Sequence, residues 1–152
     1  MYFTSSLSTL ILTPPIASIA VTNASKFTVT YSLIFKSKDV FNDFRPNPGK
    51  INFMHTPGGM GVRIDTAVYT GYEISPFYDS MILKIVVSGQ SRLECIRKMR
   101  AALEELIIDG VKTTIEFHYL LLHNPTFVLG NYDTTFVETF LKEVFENAKR
   151  LR

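Results

Sequence analysis

Disulfide chemistry is the first thing this sequence excludes: Cys95 is its only cysteine, so no framework of cross-links can hold it. That thiol falls among apolar neighbours in a helical pattern, which reads as packing rather than as a nucleophile. Net charge is equally scarce. Sixteen Lys and Arg face 14 Asp and Glu, leaving +2, too little to grip a polyanion, so nucleic acid is not an expected partner. No apolar run of membrane-spanning length survives either. The stretch from Leu7 to Val21 is broken by Pro14-Pro15 and preceded by no Lys or Arg, so neither a membrane span nor a signal peptide is expected. The three histidines are His55, His118 and His123. A separation of five puts the last two on different faces of a helix, so packing or surface roles are expected rather than a metal site. No internal repeat stands out.

What is present fits one domain with a proper core. The chain has 152 residues, 46% apolar and 20% charged, an ordinary globular composition. Its first part stands apart: residues 1–36 are rich in Ser and Thr and carry no charge before Lys26. We expect them to be a divergent or foreign segment with one strand, Phe27 to Phe35, whose β-branched and aromatic residues roughly alternate.

Asp39 to Lys50 holds two prolines and a glycine and reads as an irregular loop. Ile51 to His55 reads as a short strand, Gly61 to Ile74 as one or two more with a bend at Gly71, and Met81 to Val87 as a central strand covered on both faces. Ser91-Arg-Leu-Glu94, Thr113-Thr-Ile-Glu116 and Thr135-Phe-Val-Glu138 each spell a capping box at the start of a helix. The first helix carries Cys95, Ile96, Met99, Leu103 and Leu106 inward, and Arg97, Lys98, Arg100, Glu104 and Glu105 on a solvated face. Ile107-Ile108 return to the sheet. The last helix places Phe136, Phe140, Leu141, Val144, Phe145 and Ala148 on one side. The fold class is therefore α+β, a small antiparallel or mixed sheet followed by about three helices.

The stretch from His55 to Met81 organises the rest. Pro57, Gly58, Gly59 and Gly61 make a turn-rich loop that feeds an alternating strand, with Val62 and Ile64 on one face and Arg63 and Asp65 on the other. A guanidinium held on a sheet face suits an anionic partner, although an exposed Arg with an Asp two residues away is also a common solvated pair. The loop lacks the following helix and Lys of a phosphate cradle. Tyr78-Asp79-Ser80 lacks a nearby His and a nucleophile elbow, and reads as a turn whose Asp and Ser bind backbone amides.

The wording of this stretch is specific. Gly59-Met-Gly-Val-Arg-Ile-Asp65, Tyr69, Gly71-Tyr72, Pro76-Phe-Tyr-Asp-Ser-Met81 and Lys84 resemble the C-terminal domain of biotin carboxylase, of the acetyl-CoA carboxylase subunit type and the rudiment hybrid fold. Phe41, Phe44 and Pro48-Gly-Lys50 match upstream. Downstream, Arg92, Ile96, Met99, Arg100, Ile108 to Ile115, Phe117-His118, Phe127, Gly130 and Thr134 to Glu138 continue the likeness, which covers about residues 39 to 142. The domain is taken as 37–152. Three features depart from the pattern: Leu83 replaces a position usually Gly or Ala, Lys38 sits where an acidic residue is usual, and residues 27–36 do not reproduce the family's His-Ala-Ile-Glu-Cys-Arg strand.

The resemblance implies a role for one residue above all. Arg63 matches the active-site Arg that contacts bicarbonate and the ureido oxygen of biotin, and so is the catalytic and substrate-binding residue to expect. Biotin is then the carrier substrate, presented by a biotin carboxyl carrier protein. ATP and Mg2+ belong to the complete parent enzyme, whose ATP-grasp portion lies upstream and for which this chain has no room. The resemblance further implies a homodimer formed partly through this domain, a cytoplasmic setting and a place in fatty acid biosynthesis. A fragment of an ATP-dependent ligase, inactive alone, is the expectation. The alternatives are a non-catalytic module that binds carboxylase subunits or the carrier, and a gene remnant.

Overall fold

The computed structural model describes residues 22–25, 28–42, 44–133 and 135–150; the Leu7 to Val21 run lies outside them. In chain order the elements are β1 (Thr22–Ser25), β2 (Thr28–Lys36), β3 (Lys38–Asp39), a 3-10 turn (Val40–Asn42), β4 (Arg45–Pro46), β5 (Gly49–Lys50), β6 (Phe53–His55), β7 (Val62–Thr66), β8 (Glu73–Ile74), β9 (Met81–Gly89), α1 (Arg92–Glu105), β10 (Ile107–Asp109), α2 (Ile115–His123), α3 (Pro125–Leu129) and α4 (Phe136–Arg150).

The main sheet is antiparallel throughout, in the order β1-β2-β9-β7. Its two long strands pair Tyr31 with Val87, Leu33 with Ile85 and Phe35 with Leu83. Because side chains alternate along a strand, those six share a face, and none is more than 3% exposed. The buried stripe of α1, Cys95, Ile96, Met99, Ala102 and Leu103, lies against that face. Each fully buried aliphatic side chain there contributes roughly 1.5–3 kcal/mol of apolar burial. The cysteine is packed, as expected: its thiol lies 3.2 Å from the Val29 carbonyl, and burial pushes its pKa up.

Two expectations need correction. The opposite face of β9 is only partly covered by the described residues: Ile82 at its start is 2% exposed, while Lys84, Val86 and Ser88 stay half-buried. Ile107 and Ile108 do not rejoin the main sheet; β10 forms a separate ribbon with β6, pairing Ile107 with His55 and Asp109 with Phe53. The strand expected within residues 1–36 forms as β2, and the buried side chains of Tyr31, Leu33 and Phe35 make it a central strand.

Of the capping boxes, only the first forms. Ser91 Oγ accepts from the Glu94 amide at 3.2 Å, while the Glu94 carboxylate accepts from the Gln90 amide at 2.7 Å. That amide and Lys98 hold the Glu94 carboxyl below its usual range. At α2 the cap is Thr114 with no side-chain cap bond; its hydroxyl accepts instead from the Lys36 amide at 3.2 Å and so ties the helix to β2. At α4 the Asp133 carboxylate, not Glu138, takes the Thr135 amide at 2.9 Å. Phe136, Phe140, Leu141 and Val144 pack inward, while the side chains of Phe145 and Ala148 lie outside those described. A fourth helix, α3, adds to the expected three, with Asn124 accepting from Thr126 and Phe127 amides and Gly130 closing the end in the left-handed conformation at φ 78°.

Candidate functional site

Arg63 and Asp65 sit where the alternation places them, on the open face of the sheet, and the sequence explains how they are delivered. The Val62 amide donates to the Gly59 carbonyl at 3.2 Å, closing a turn ahead of β7. Gly61 then adopts φ 76°, and its carbonyl accepts from the Ser88 amide at 2.8 Å. A Cβ at this position would come within 2.9 Å of the Ser88 carbonyl, so only glycine lets β7 dock against β9 in this register. Lys98 fastens the same corner, donating to the Ser88 carbonyl at 2.8 Å and pairing with Glu94 at 2.9 Å.

From there the register is fixed: Arg63 pairs with Val86, Ile64 with Ile85 and Asp65 with Lys84. Val62 and Ile64 turn to the core, which leaves Arg63 at 68% and Asp65 at 48% side-chain exposure. The guanidinium grips the carboxylate with two contacts, Nε to Oδ1 and Nη2 to Oδ2, both at 3.2 Å. Lys84, across from Asp65, is half-buried and has no ion-pair partner among the described residues. It was not among the expected site residues, yet a single Lys interrupting an apolar strand was the signal that could have found it. The open face thus presents two cations and one carboxylate, an arrangement able to hold a small oxyanion.

The other sequence candidates scatter. Asp79 accepts from the Lys36 ammonium at 3.0 Å rather than binding a backbone amide, a correction that follows from Lys36 closing β2 beside this turn. Ser80 is buried, and its carbonyl accepts from the Ser37 amide at 2.8 Å. His55 is exposed on β6, His123 is exposed with Nδ1 2.7 Å from the Tyr119 carbonyl, and His118 is fully buried in α2. His118 Nε2 lies 3.0 Å from the Ile34 carbonyl, its Nδ1 has no partner, and burial lowers its pKa to about 4. Its place is beneath β2, between the rings of Phe35 and Phe117. No cluster of three metal-ligating side chains exists among the described residues. The residues present therefore do not fit a Mg2+ or nucleotide phosphate site, and the glycine loop leads into a strand rather than a helix N-terminus.

The basic residues of α1 are largely spent on structure. Arg92 donates to the Phe127 carbonyl at 2.6 Å, and its guanidinium carbon lies 5.1 Å from the Tyr31 ring centroid and 5.2 Å from that of Phe127. Arg100 donates to the Leu122 carbonyl at the end of α2. Asp39, with its carboxyl lowered by the ammonium of Lys112 and by Asn42, anchors the 3-10 turn.

This α+β fold recurs in known carboxylases. Residues 36–139 match the model of the biotin carboxylase C-terminal domain, and the chain belongs to that family. It is 50% identical over 98 residues to biotin carboxylase 1 of Bacillus subtilis, covering 64% of this chain and 22% of that protein. To the biotin carboxylase of Nostoc sp. it is 48% identical over 106 residues, or 70% of this chain and 24% of the relative. Among solved structures, the biotin carboxylase subunit of pyruvate carboxylase superposes with a TM-score of 0.75 at 34% identity, covering 78% of this chain and 26% of that one. The bicarbonate-bound biotin carboxylase domain of a thermophilic 2-oxoglutarate carboxylase gives 0.73 at 34% identity, over 74% and 26%. The chain thus spans less than a quarter of the length of the curated relatives it matches.

Proposed function

We propose that this chain acts as the C-terminal part of a biotin carboxylase of the acetyl-CoA carboxylase type, with Arg63 facing bicarbonate and the ureido oxygen of biotin. The observation that carries the reading is Arg63 itself, delivered by Gly61 onto an uncovered sheet face inside the matched region. Bicarbonate presents two oxygens in a plane, which suits a guanidinium fork. Removing a proton from the ureido nitrogen of biotin pushes negative charge onto its oxygen, and a fixed guanidinium favours that charge directionally where an ammonium would not.

ATP and Mg2+ would be held by an ATP-grasp portion supplied from outside the residues seen here, because the described residues offer no such site. That assignment agrees with a solved relative described in complex with MgADP, ADP and bicarbonate as a dimer. The biotinyl carrier protein and a second copy of the enzyme are the partners this reading entails, and the cytoplasm and fatty acid synthesis its setting. On this reading residues 37–152 carry the family function and residues 1–36 are the divergent part. The chain alone is inactive. Supplying the ATP-grasp portion, as from the Bacillus subtilis relative, restores ATP-dependent carboxylation of biotin, and Arg63→Ala removes most of it. Restoration with no sensitivity at Arg63 would sink the assignment.

A second reading, a non-catalytic module that binds other carboxylase subunits, draws on the exposed Phe77 and Tyr78, at 88% and 83%. It predicts binding of those subunits by the isolated chain, measured by calorimetry, with no carboxylation when the ATP-grasp portion is added.

A further inference from the structure

The Arg63–Asp65 pair has a handedness that goes beyond charge neutralisation. Arg63 carries four rotatable side-chain bonds and Asp65 two, so the shorter acid is the better-fixed partner. Its backbone is clamped by pairing with Lys84 on β9. Asp65 engages Nε and Nη2, each at 3.2 Å, the side edge of the planar fork. A guanidinium has five N–H donors in two bidentate edges. With the side edge taken, the end edge formed by Nη1 and the second hydrogen of Nη2 remains, and no other carboxylate lies within ion-pair distance of it among the described residues.

We infer that Asp65 is a positioning residue for Arg63: it holds the side edge of the guanidinium so that the end edge is the one presented to an oxyanion such as bicarbonate. The inference rests on the reading of Arg63 as an oxyanion site and adds which edge is used and what sets it. The opposite arrangement, in which Asp65 is an internal competitor that the anion displaces, makes contrary predictions at every nitrogen. Positioning requires Asp65 to stay bound while the oxyanion occupies Nη1 and Nη2. Competition requires Nε to lose its partner.

The test uses the full chain with 15N-labelled arginine, its Arg63 signals assigned by their loss in Arg63→Ala, followed at low temperature with and without bicarbonate. Arg63 should show a slowly rotating guanidinium. Asp65→Asn should speed rotation roughly two- to fivefold, the factor an exposed ion pair allows, and Asp65→Glu should restore slow rotation. Bicarbonate should then shift the Nη1 signal with little change at Nε. Identical rotation in the parent chain and Asp65→Asn would overturn the inference. So would a bicarbonate shift centred on Nε with release of the Asp65 carboxylate, which marks displacement. Slow rotation that depends on Asp65 but with no Arg63 nitrogen responding to bicarbonate would instead overturn the oxyanion reading beneath it, and the inference with it.

Discussion

Lowering the pH from 7 to 5 should weaken this fold through one buried side chain, His118. The ring is fully enclosed, and its pKa falls from 6.5 to about 4 because burial disfavours the charged form. In the unfolded chain the same imidazole takes up its proton near 6.5. The unfolded state therefore binds more protons between those two values, so stability is fully present above 6.5 and is lost as the pH falls through this window. A gap of about 2.5 units corresponds to about 3 kcal/mol when complete, and about 2 kcal/mol of it is lost by pH 5. The carboxyls of Asp39, Glu94 and Asp133 are lowered from 3.8, 4.5 and 3.8. They follow the usual acid pattern, contributing stability above those values that is lost only at more acid pH. Urea unfolding at pH 7, 6 and 5 measures the loss. His118→Gln keeps a donor for the Ile34 carbonyl, now 3.0 Å from Nε2, and removes the titration, so its stability should vary much less over the range. Equal pH slopes for the parent chain and His118→Gln would refute the reasoning.

Gly61→Ala should cost roughly 2–3 kcal/mol, from left-handed backbone strain together with the 2.9 Å approach to the Ser88 carbonyl. Gly58→Ala, with nothing within 4 Å of the added carbon, should stay within about 0.5 kcal/mol in the same urea series. Arg92→Ala removes a charge-assisted bond to the Phe127 carbonyl and the packing against Tyr31 and Phe127, and should cost about 2–3 kcal/mol by thermal unfolding. Arg63→Ala, at an exposed site, should leave the melting temperature within about 2 °C. A large loss of stability there would mean that Arg63 serves the fold rather than a ligand.

Strands and helices were legible where one period dominates. The alternation in β2 and β7 and the Ser91 box at α1 translate directly into structure, because local hydrogen bonding and one-sided burial agree there. Arg63 and Asp65 were placed correctly for the same reason. Legibility failed where tertiary contacts overrode a local signal. Thr113 and Glu116 have the spacing of a cap, but Thr114 is drawn into the β2 backbone. Met81 to Val87 is apolar enough to be fully covered on both faces, yet Lys84 and Val86 on the second face stay half-buried. The helix α3 was missed although Asn124, Pro125 and Gly130 mark both its ends, because five residues are too few to show a period. Lys84 became a candidate only once the strand register set it opposite Asp65.

Fixation of labelled bicarbonate onto biotin tests the central claim most directly, measured with this chain, an added ATP-grasp portion, ATP and Mg2+. The account predicts no incorporation by the chain alone, incorporation once the ATP-grasp portion is added, and loss of most of it in Arg63→Ala with the fold intact. Full incorporation by the Arg63→Ala chain would contradict it.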